Sequence, residues 1–204
     1  MALQKLTLTI RKGSAENIPI RLEQSAWSYA TISAVSQTAP LRISAPAHGI
    51  PDGWRVAIMN VKSVGDFGAA NNPPRDHELH TITVIDADTA EFNAINGAAF
   101  RAHTSGGQLA WHTPVDLNLY VGARMNVRNK VGGALLFNWT TDTGELEIDV
   151  ANDSLWLRLD DLVTEMLTAK NKVFDIELIR TGGDADRVCA HDSTLVVLDE
   201  TTTE

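Results

Sequence analysis

Apolar and polar residues alternate in many short segments of this chain, and turn-forming residues separate the segments. In residues 5–11 the side chains of Leu6, Leu8 and Ile10 alternate with polar ones, and residues 172–180 alternate in the same way. A period of two places successive side chains on opposite faces, which is the pattern of a half-buried β-strand. Because such segments follow one another at short spacing, the pattern predicts an all-β fold of the sandwich or barrel class.

Two segments break this pattern. Residues 65–78 are rich in glycine, asparagine and proline and predict a long, exposed and mobile loop. Residues 160–170 predict the single short helix, with Asp160 or Asp161 as its N-cap. The apolar face expected for this helix consists of Leu162, Met166 and Leu167 or Ala169.

Composition narrows the possible functions. The 204 residues are 44% hydrophobic and 21% charged, which is enough apolar material for a packed core. The net charge of −9 argues against a nucleic-acid partner and against docking on anionic membranes. Cys189 is the single cysteine, so no disulfide can form within the chain. With no apolar run of membrane-spanning or signal-peptide length, we expect a protein of the cytosol, unless it leaves inside a particle.

Residues 116–200 contain a series of short motifs in a characteristic order. They are DLNLYVGARMNVR, TTDTGELEID, LWLRLDDLVTEML, FDIELIR and STLVVLDETT. This series resembles the N-terminal domain of the upper baseplate proteins of bacteriophage tails. The resemblance implies an immunoglobulin-like β-sandwich. In that family a pair of strands precedes the first motif, and residues 6–23 fit this pair.

About eighty residues separate that strand pair from the first motif, which indicates an inserted domain. Residues 34–113 contain ISAPAHGIPDGWRVAIMNVKSV, ELHTITVIDADTAEFNA and GGQLAW. These motifs resemble a small β-barrel of phage tail and appendage proteins, similar to the first catalytic-cysteine half-domain of ubiquitin-activating enzymes. The insert contains no cysteine, so thioester chemistry is not implied. We therefore expect a discontinuous sandwich, residues 1–33 and 114–204, interrupted by a barrel of residues 34–113.

The segment APAHGIPDGW, residues 45–54, places His48 and Asp52 among tight-turn residues. A catalytic or metal-binding loop is one interpretation. A turn between two strands of the barrel is the favoured one, because glycine supplies positive φ and aspartate supplies a local hydrogen bond. On this interpretation His48 caps or plugs the turn.

Other histidines and the cysteine suggest chemistry only weakly. Cys189 and His191 would share one face of a strand, which is compatible with a nucleophile pair, but a packed thiol is favoured. His77 and His80 are three residues apart in a loop and strand context. A metalloprotease pair needs a spacing of four on a helix, so a metal site is not predicted.

Clustered acids and tryptophans complete the candidates. Residues 86–89 and 183–187 are interpreted as hairpin turns and not as calcium loops. Asp161 and Glu165 are interpreted as exposed acids near a helix start. Among the five tryptophans, Trp54, Trp139 and Trp156 are expected in the core, whereas Trp27 and Trp111 are candidates for an interface. No catalytic, cofactor-binding or metal-ligating residue is predicted, and the interaction residues are left open.

The combined prediction is a non-enzymatic structural adaptor of a bacteriophage tail, in the baseplate, tail tip or collar. Its expected partners are other tail proteins and further copies of itself in a ring, with no nucleic acid, membrane, small-molecule substrate or cofactor. Its expected location is the virion tail, after assembly in the host cytoplasm. A receptor- or carbohydrate-binding module at the tail tip is the alternative. A small hydrolase or an accessory domain of one is a third hypothesis, and it has little support in the sequence.

Overall fold

A computed structural model describes residues 4–61, 68–168 and 170–199. Within these ranges the chain forms seventeen strands, three short 3-10 turns and one helix. The strands are β1 (Thr7–Arg11), β2 (Glu16–Ile20), β3 (Glu23–Thr31), β4 (Ala34–Val35), β5 (Leu41–Ser44), β6 (Arg55–Met59), β7 (His80–Thr81), β8 (Thr83–Asp86), β9 (Thr89–Phe92), β10 (Gln108–Pro114), β11 (Tyr120–Arg128), β12 (Leu135–Thr140), β13 (Leu146–Asp149), β14 (Ser154–Leu159), β15 (Lys172–Arg180), β16 (Ala185–Arg187) and β17 (Ser193–Leu198). The helix is α1 (Asp161–Glu165), and the 3-10 turns are Asp76–Glu78, Leu117–Leu119 and Val150–Asn152. The predicted all-β class is confirmed.

The chain divides into two compact units. The first contains residues 1–25 and 114–204, and the second contains residues 26–113. Along the chain, the units meet between residues 25 and 26, whereas the start of the inserted domain was predicted between residues 33 and 34. The chain leaves the first unit within β3, a strand that the sequence analysis did not predict.

The first unit contains two sheets. The larger has the hydrogen-bonded order β1-β17-β15-β11-β12, with β16 paired to β15, and the smaller has the order β13-β14-β2. β1 runs parallel to β17. β11 is antiparallel to β12 and β15, β15 is antiparallel to β16 and β17, and β14 is antiparallel to β13 and β2. Segments from both ends of the chain therefore contribute strands to the same sheets.

Inward-facing residues of both sheets form one hydrophobic core. Ile10, Met125 and Ile176 of the larger sheet and Leu155 and Leu157 of the smaller sheet are completely buried in the same cluster. Such a shared core between two sheets is a β-sandwich-like architecture. The immunoglobulin-like class stays a prediction.

The second unit also has two sheets around its own core. Their orders are β3-β10-β6-β7 and β4-β5-β9-β8. Trp54, Phe92 and Leu109 are completely buried in the cluster between them. The predicted barrel stays a prediction.

Two segments with a strand-like sequence pattern form other structures. The pattern of LHTITVID, residues 79–86, predicts one strand, but these residues form two that belong to different sheets, with the buried Ile82 between them. The alternation of Leu117 and Leu119 with polar residues predicts the start of a strand, but both belong to a 3-10 turn. The side chain of Asp116 caps this turn by accepting a hydrogen bond from the N–H of Asn118.

The helix forms within the predicted segment, but the expected apolar face is wrong for Leu162 and Met166 and is confirmed for Leu167. Asp160 is the N-cap and accepts a 2.7 Å hydrogen bond from the N–H of Val163. Leu162 and Met166 are 73% and 69% exposed, whereas Thr164 and Leu167 are buried. The reason is that the hydroxyl of Thr164 donates to the carbonyl of Ser14 and so turns this side of the helix inward. Ala169 lies outside the described residues. In the described part of the chain, no helix has the length and apolar character that a membrane span requires.

Candidate functional site

The first unit contains a cleft of about 430 Å³. It lies beside the start of β11, where Val115, Asp116 and Leu119 form one side, and beside the hairpin of β15 and β16, which contributes Arg180 and Asp186. The other lining residues are Gln4, Glu23, Gln24, Ser25, Tyr120, Arg187 and Val188. The lining is thus a mixture of carboxylates, guanidinium groups and apolar side chains.

A tight turn brings Arg180 and Asp186 together. The N–H of Gly183 donates to the carbonyl of Arg180, and the N–H of Arg180 donates to the carbonyl of Asp184. Gly182 and Gly183 have φ of 109° and 93°, a conformation that side chains with a Cβ rarely adopt. A hairpin turn was predicted at residues 183–187; the hairpin forms, but its turn ends before Ala185, because Ala185–Arg187 are the strand β16.

Three side chains form a hydrogen-bonded group in the cleft. The Tyr120 hydroxyl donates to Asp186 Oδ2 at 2.9 Å, and Arg180 Nε donates to the same oxygen at 2.7 Å. The guanidinium of Arg180 also lies over the Tyr120 ring, 5.2 Å from its centre. Such a contact adds a cation–π attraction to the ion pair.

The electrostatics keep each of these groups in its ordinary charge state. Burial and the hydrogen bond to Asp186 raise the pKa of Tyr120, so the phenol stays neutral. The hydrogen bonds from Arg180 and Tyr120 lower the pKa of Asp186, so its carboxylate stays ionised. A group with fixed charges binds and orients, but it is not poised to transfer protons near neutral pH.

A second ion-pair network lies on the neighbouring strands. Arg187 Nε contacts Asp175 Oδ2 at 3.2 Å, and Arg187 Nη2 donates to Glu177 Oε1 at 3.2 Å. Arg124 donates to the other oxygen of Glu177 at 2.5 Å. These pairs neutralise the charges along the open face of the larger sheet. The cleft lining thus combines charged groups with an apolar side chain, the half-exposed Leu119.

The segment of residues 45–54 is a loop between β5 and β6, as predicted, and it contains an internal hydrogen bond. His48 is buried, and its Nδ1 accepts a 3.0 Å hydrogen bond from the N–H of Ile50. The Asp52 carboxylate accepts from the N–H of Val84 at 2.8 Å, which is a longer-range contact than the local one expected. His48 Nε2 is buried with no hydrogen-bond partner among the described residues. These contacts make both side chains part of the loop structure.

Cys189 and His191 do not form a nucleophile pair. Cys189 is completely buried, and its Sγ accepts a hydrogen bond from the N–H of Ile176 at 3.1 Å. Burial raises the pKa of the thiol to about 11, so the reactive thiolate is disfavoured. His191 is exposed on the following turn. The packed thiol favoured by the sequence is confirmed.

His77 and His80 lie in different elements. His77 is exposed in a 3-10 turn, and His80 is half-buried in β7. Within residues 4–61, 68–168 and 170–199, no group of three or more histidine, cysteine or acidic side chains is placed to hold a metal ion.

The clustered acids have structural partners. Asp86 and Asp88 flank the hairpin between β8 and β9, where Asp86 accepts from the N–H of Asp88 at 2.8 Å. This confirms the predicted turn. Glu165 in α1 forms a 3.1 Å ion pair with Lys12, so it does not form a carboxylate pair with Asp161.

The tryptophans are placed partly as expected. Trp54 and Trp139 are buried in the cores, as predicted. Trp111 is also buried, so its assignment as an interface candidate is wrong. Trp156 is only half-buried, and Arg158 lies over its ring at 5.0 Å, so the expected core position is wrong too.

Trp27 belongs to an aromatic surface in the second unit. Its ring lies 3.9 Å from the ring of His112, and the two rings are tilted by 36°. Tyr29, two residues along the same strand and therefore on the same face, is 48% exposed. Trp27 was singled out from the sequence. Tyr29 was missed because β3 was not predicted, and His112 was missed because only the pairing of β10 with β3 brings it beside Trp27.

Neither models of protein families nor sequences of curated proteins match this chain. The residues and surfaces described above are therefore the basis of the proposed function.

Proposed function

We propose that this protein is a structural adaptor subunit of a bacteriophage tail, in the baseplate, tail tip or collar. The sandwich-like unit docks on the tail core, and the second unit offers another surface to a neighbouring subunit or a fibre. The protein acts by binding, without a cofactor or small-molecule substrate. It takes its place in the virion tail in several copies, after assembly in the host cytoplasm.

The observation that carries this proposal is the interruption of the first unit. β1 and β2 lie before the second unit in the chain, yet they pair with β17 and β14, which lie after it. The resemblance to phage upper baseplate proteins implies that a strand pair at the start belongs to the same sandwich as the later motifs, and the length of chain between them indicated an inserted domain. The mixed polar and apolar lining of the cleft supports a binding role.

Immunogold electron microscopy of purified virions tests the proposal. The virions should come from the phage whose genome encodes this chain, and the antibody should be raised against the full protein. Label at one fixed position on the tail is expected. Virions that carry no label, although infected cells contain abundant protein, would overturn the proposal.

The aromatic surface favours a second candidate function, a receptor- or carbohydrate-binding module at the tail tip. Aromatic rings on one strand face can stack on sugar rings, and the half-buried Trp27 and the 48% exposed Tyr29 provide such a pair. Binding to host surface polysaccharide should then weaken in Trp27→Ala and in Tyr29→Ala. Trp156→Ala, which changes a half-buried tryptophan of the other unit, is the matched control. Equal binding by all three variants would remove this candidate.

A further inference from the structure

β12 is an edge strand of the larger sheet in the described structure, with β11 as its partner on one side. The N–H of Thr141 donates to the carbonyl of Ala123, and Asn138 lies opposite Asn126. Residues that bond to the neighbouring strand alternate along an antiparallel ladder, so the backbone groups of Thr140 and Asn138 point away from β11.

The backbone groups of Thr140 are already used by the following turn. Its N–H donates to Glu145, and its carbonyl accepts from the N–H of Gly144 at 3.2 Å. Among the described residues, none pairs with the outward backbone groups of Asn138. The middle of β12 therefore offers an open donor and an open acceptor.

Apolar side chains accompany this open edge. Leu135 and Leu136 at the start of β12 are 47% and 42% exposed, and Val131 in the preceding turn is 49% exposed. An uncharged edge with exposed apolar residues is a template for pairing with another strand, because it lacks the inward charges and prolines that normally block such pairing.

The charges at the two ends of β12 identify the partner. Arg128 and Lys130 precede the strand, whereas Asp142 and Glu145 follow it. When a second β12 lies antiparallel to the first, the basic end of each strand comes to lie beside the acidic end of the other. Lys130 and Asp142 are exposed, and neither has an ion pair with any described residue.

We propose that β12 binds β12 of a second copy of this chain, antiparallel and about a two-fold axis that passes close to Asn138. The two larger sheets then join into one continuous sheet across the pair. The exposed Leu135 and Leu136 of each copy then lie beside Thr141 and Thr140 of the other copy, and symmetry repeats each charge contact. This inference goes beyond the proposed function and does not depend on it.

Charge reversal at the strand ends tests the pairing. The mass of the full chain is measured over a range of concentrations by sedimentation, for the wild type and for Lys130→Glu, Asp142→Lys and the double variant. We expect a concentration-dependent dimer of the wild type. Each single reversal should raise the dissociation constant roughly tenfold, because two symmetric contacts become repulsive. The double variant should restore dimerisation, because the opposite charges are exchanged.

Two further measurements sharpen the result. Leu136→Lys places a charge on the open edge and should abolish the dimer. Circular dichroism and thermal unfolding of each variant should match the wild type, because all three side chains are exposed. A wild type that is monomeric at every concentration overturns the inference. A dimer that neither reversal weakens, or that the double variant fails to restore, overturns it as well.

Discussion

The hydroxyl of Tyr120 donates a 2.9 Å hydrogen bond to the carboxylate of Asp186, a residue 66 positions later in the chain. The bond joins the first residue of β11 to the middle of β16. Arg180 donates to the same carboxylate oxygen, so Asp186 accepts hydrogen bonds from two other residues that line the cleft.

Tyr120→Phe removes this hydrogen bond but keeps the ring beneath Arg180. We expect the Tm at pH 7 to fall by about 2–4 °C, as for the loss of one hydrogen bond in a domain of this size. Thermal unfolding followed by circular dichroism measures the change. Tyr29→Phe, which removes an exposed hydroxyl elsewhere, should leave the Tm unchanged.

The pH dependence of this difference follows from the shifted pKa values. Folding lowers the pKa of Asp186 from 3.8. Its contribution to the free energy of unfolding is therefore present above pH 3.8, and it is lost as the pH falls through the pKa of the folded state. Folding raises the pKa of Tyr120 from 10.0. Its contribution to the free energy of unfolding is therefore present below pH 10.0, and it is lost as the pH rises through the pKa of the folded state. The stability difference between wild type and Tyr120→Phe should be flat between these limits. A difference that changes steadily between pH 5 and 9 would contradict the assignment.

Glu78 should control stability in acid. Its carboxylate accepts hydrogen bonds from the N–H of Arg75 at 2.7 Å, from the side chain of Asn71 at 3.0 Å and from the N–H of Ala70 at 2.6 Å. The bond from the backbone of Arg75 is the largest of several that lower the pKa of Glu78 from 4.5 to about 2.

The contribution of Glu78 to the free energy of unfolding is therefore present above pH 4.5, and it is lost as the pH falls towards 2. Glu78→Gln should lower the Tm at pH 6 and lose its effect near pH 2. Amide hydrogen exchange at Ala70 and Arg75 should accelerate in the variant. Asp76→Asn, a change at an exposed acid in the same turn, is the control, and an equal effect from both variants would argue against this role of Glu78.

The strands that the sequence predicted best are those with one clearly apolar face. Phe174, Ile176 and Leu178 alternate strictly in β15, and all three are buried as expected. β3 was not predicted. It is an edge strand with half-exposed residues on both faces, and its sequence therefore shows no alternation of apolar and polar residues. Alternation reports burial on one face, and it is weak where neither face is fully covered.

The cleft could not be predicted from local sequence either. Arg180 and Asp186 flank the glycine pair of a predicted hairpin, and that spacing was a usable signal. Tyr120 lies 66 residues from Asp186, and only the pairing of β11 with β15 brings it to the same end of the sheet. For residues 68–78, the expectation of a mobile loop took no account of the hydrogen bonds that Glu78 makes to residues 70–75.

Cys189 should react only when the protein unfolds. Its side chain is completely buried, and the pKa of the thiol is raised to about 11, chiefly by burial. We expect an aromatic disulfide reagent at pH 8 to modify the native protein very slowly and the urea-unfolded protein at once. The native rate should rise with urea in parallel with unfolding of the first unit, followed by circular dichroism. Fast labelling without denaturant would show that the thiol is accessible in the folded state.

The corrected face of α1 gives a direct contrast between two leucines. Leu167 is 1% exposed and lies in the core of the first unit, although it follows the end of the helix. Leu162 lies within the helix and is 73% exposed. Helical periodicity assigned both leucines to the buried face, and it misassigned Leu162 because α1 spans only five residues, so the contacts of the following turn decide what is buried.

Leu167→Ala should therefore reduce the free energy of unfolding by about 2–4 kcal/mol, as expected for a buried leucine that leaves a cavity. Leu162→Ala should change it by less than about 0.5 kcal/mol, because the side chain already lies in solvent. Urea unfolding of both variants, followed by circular dichroism, measures the two values. Equal losses in the two variants would mean that the helix packs through the face that the sequence pattern predicted.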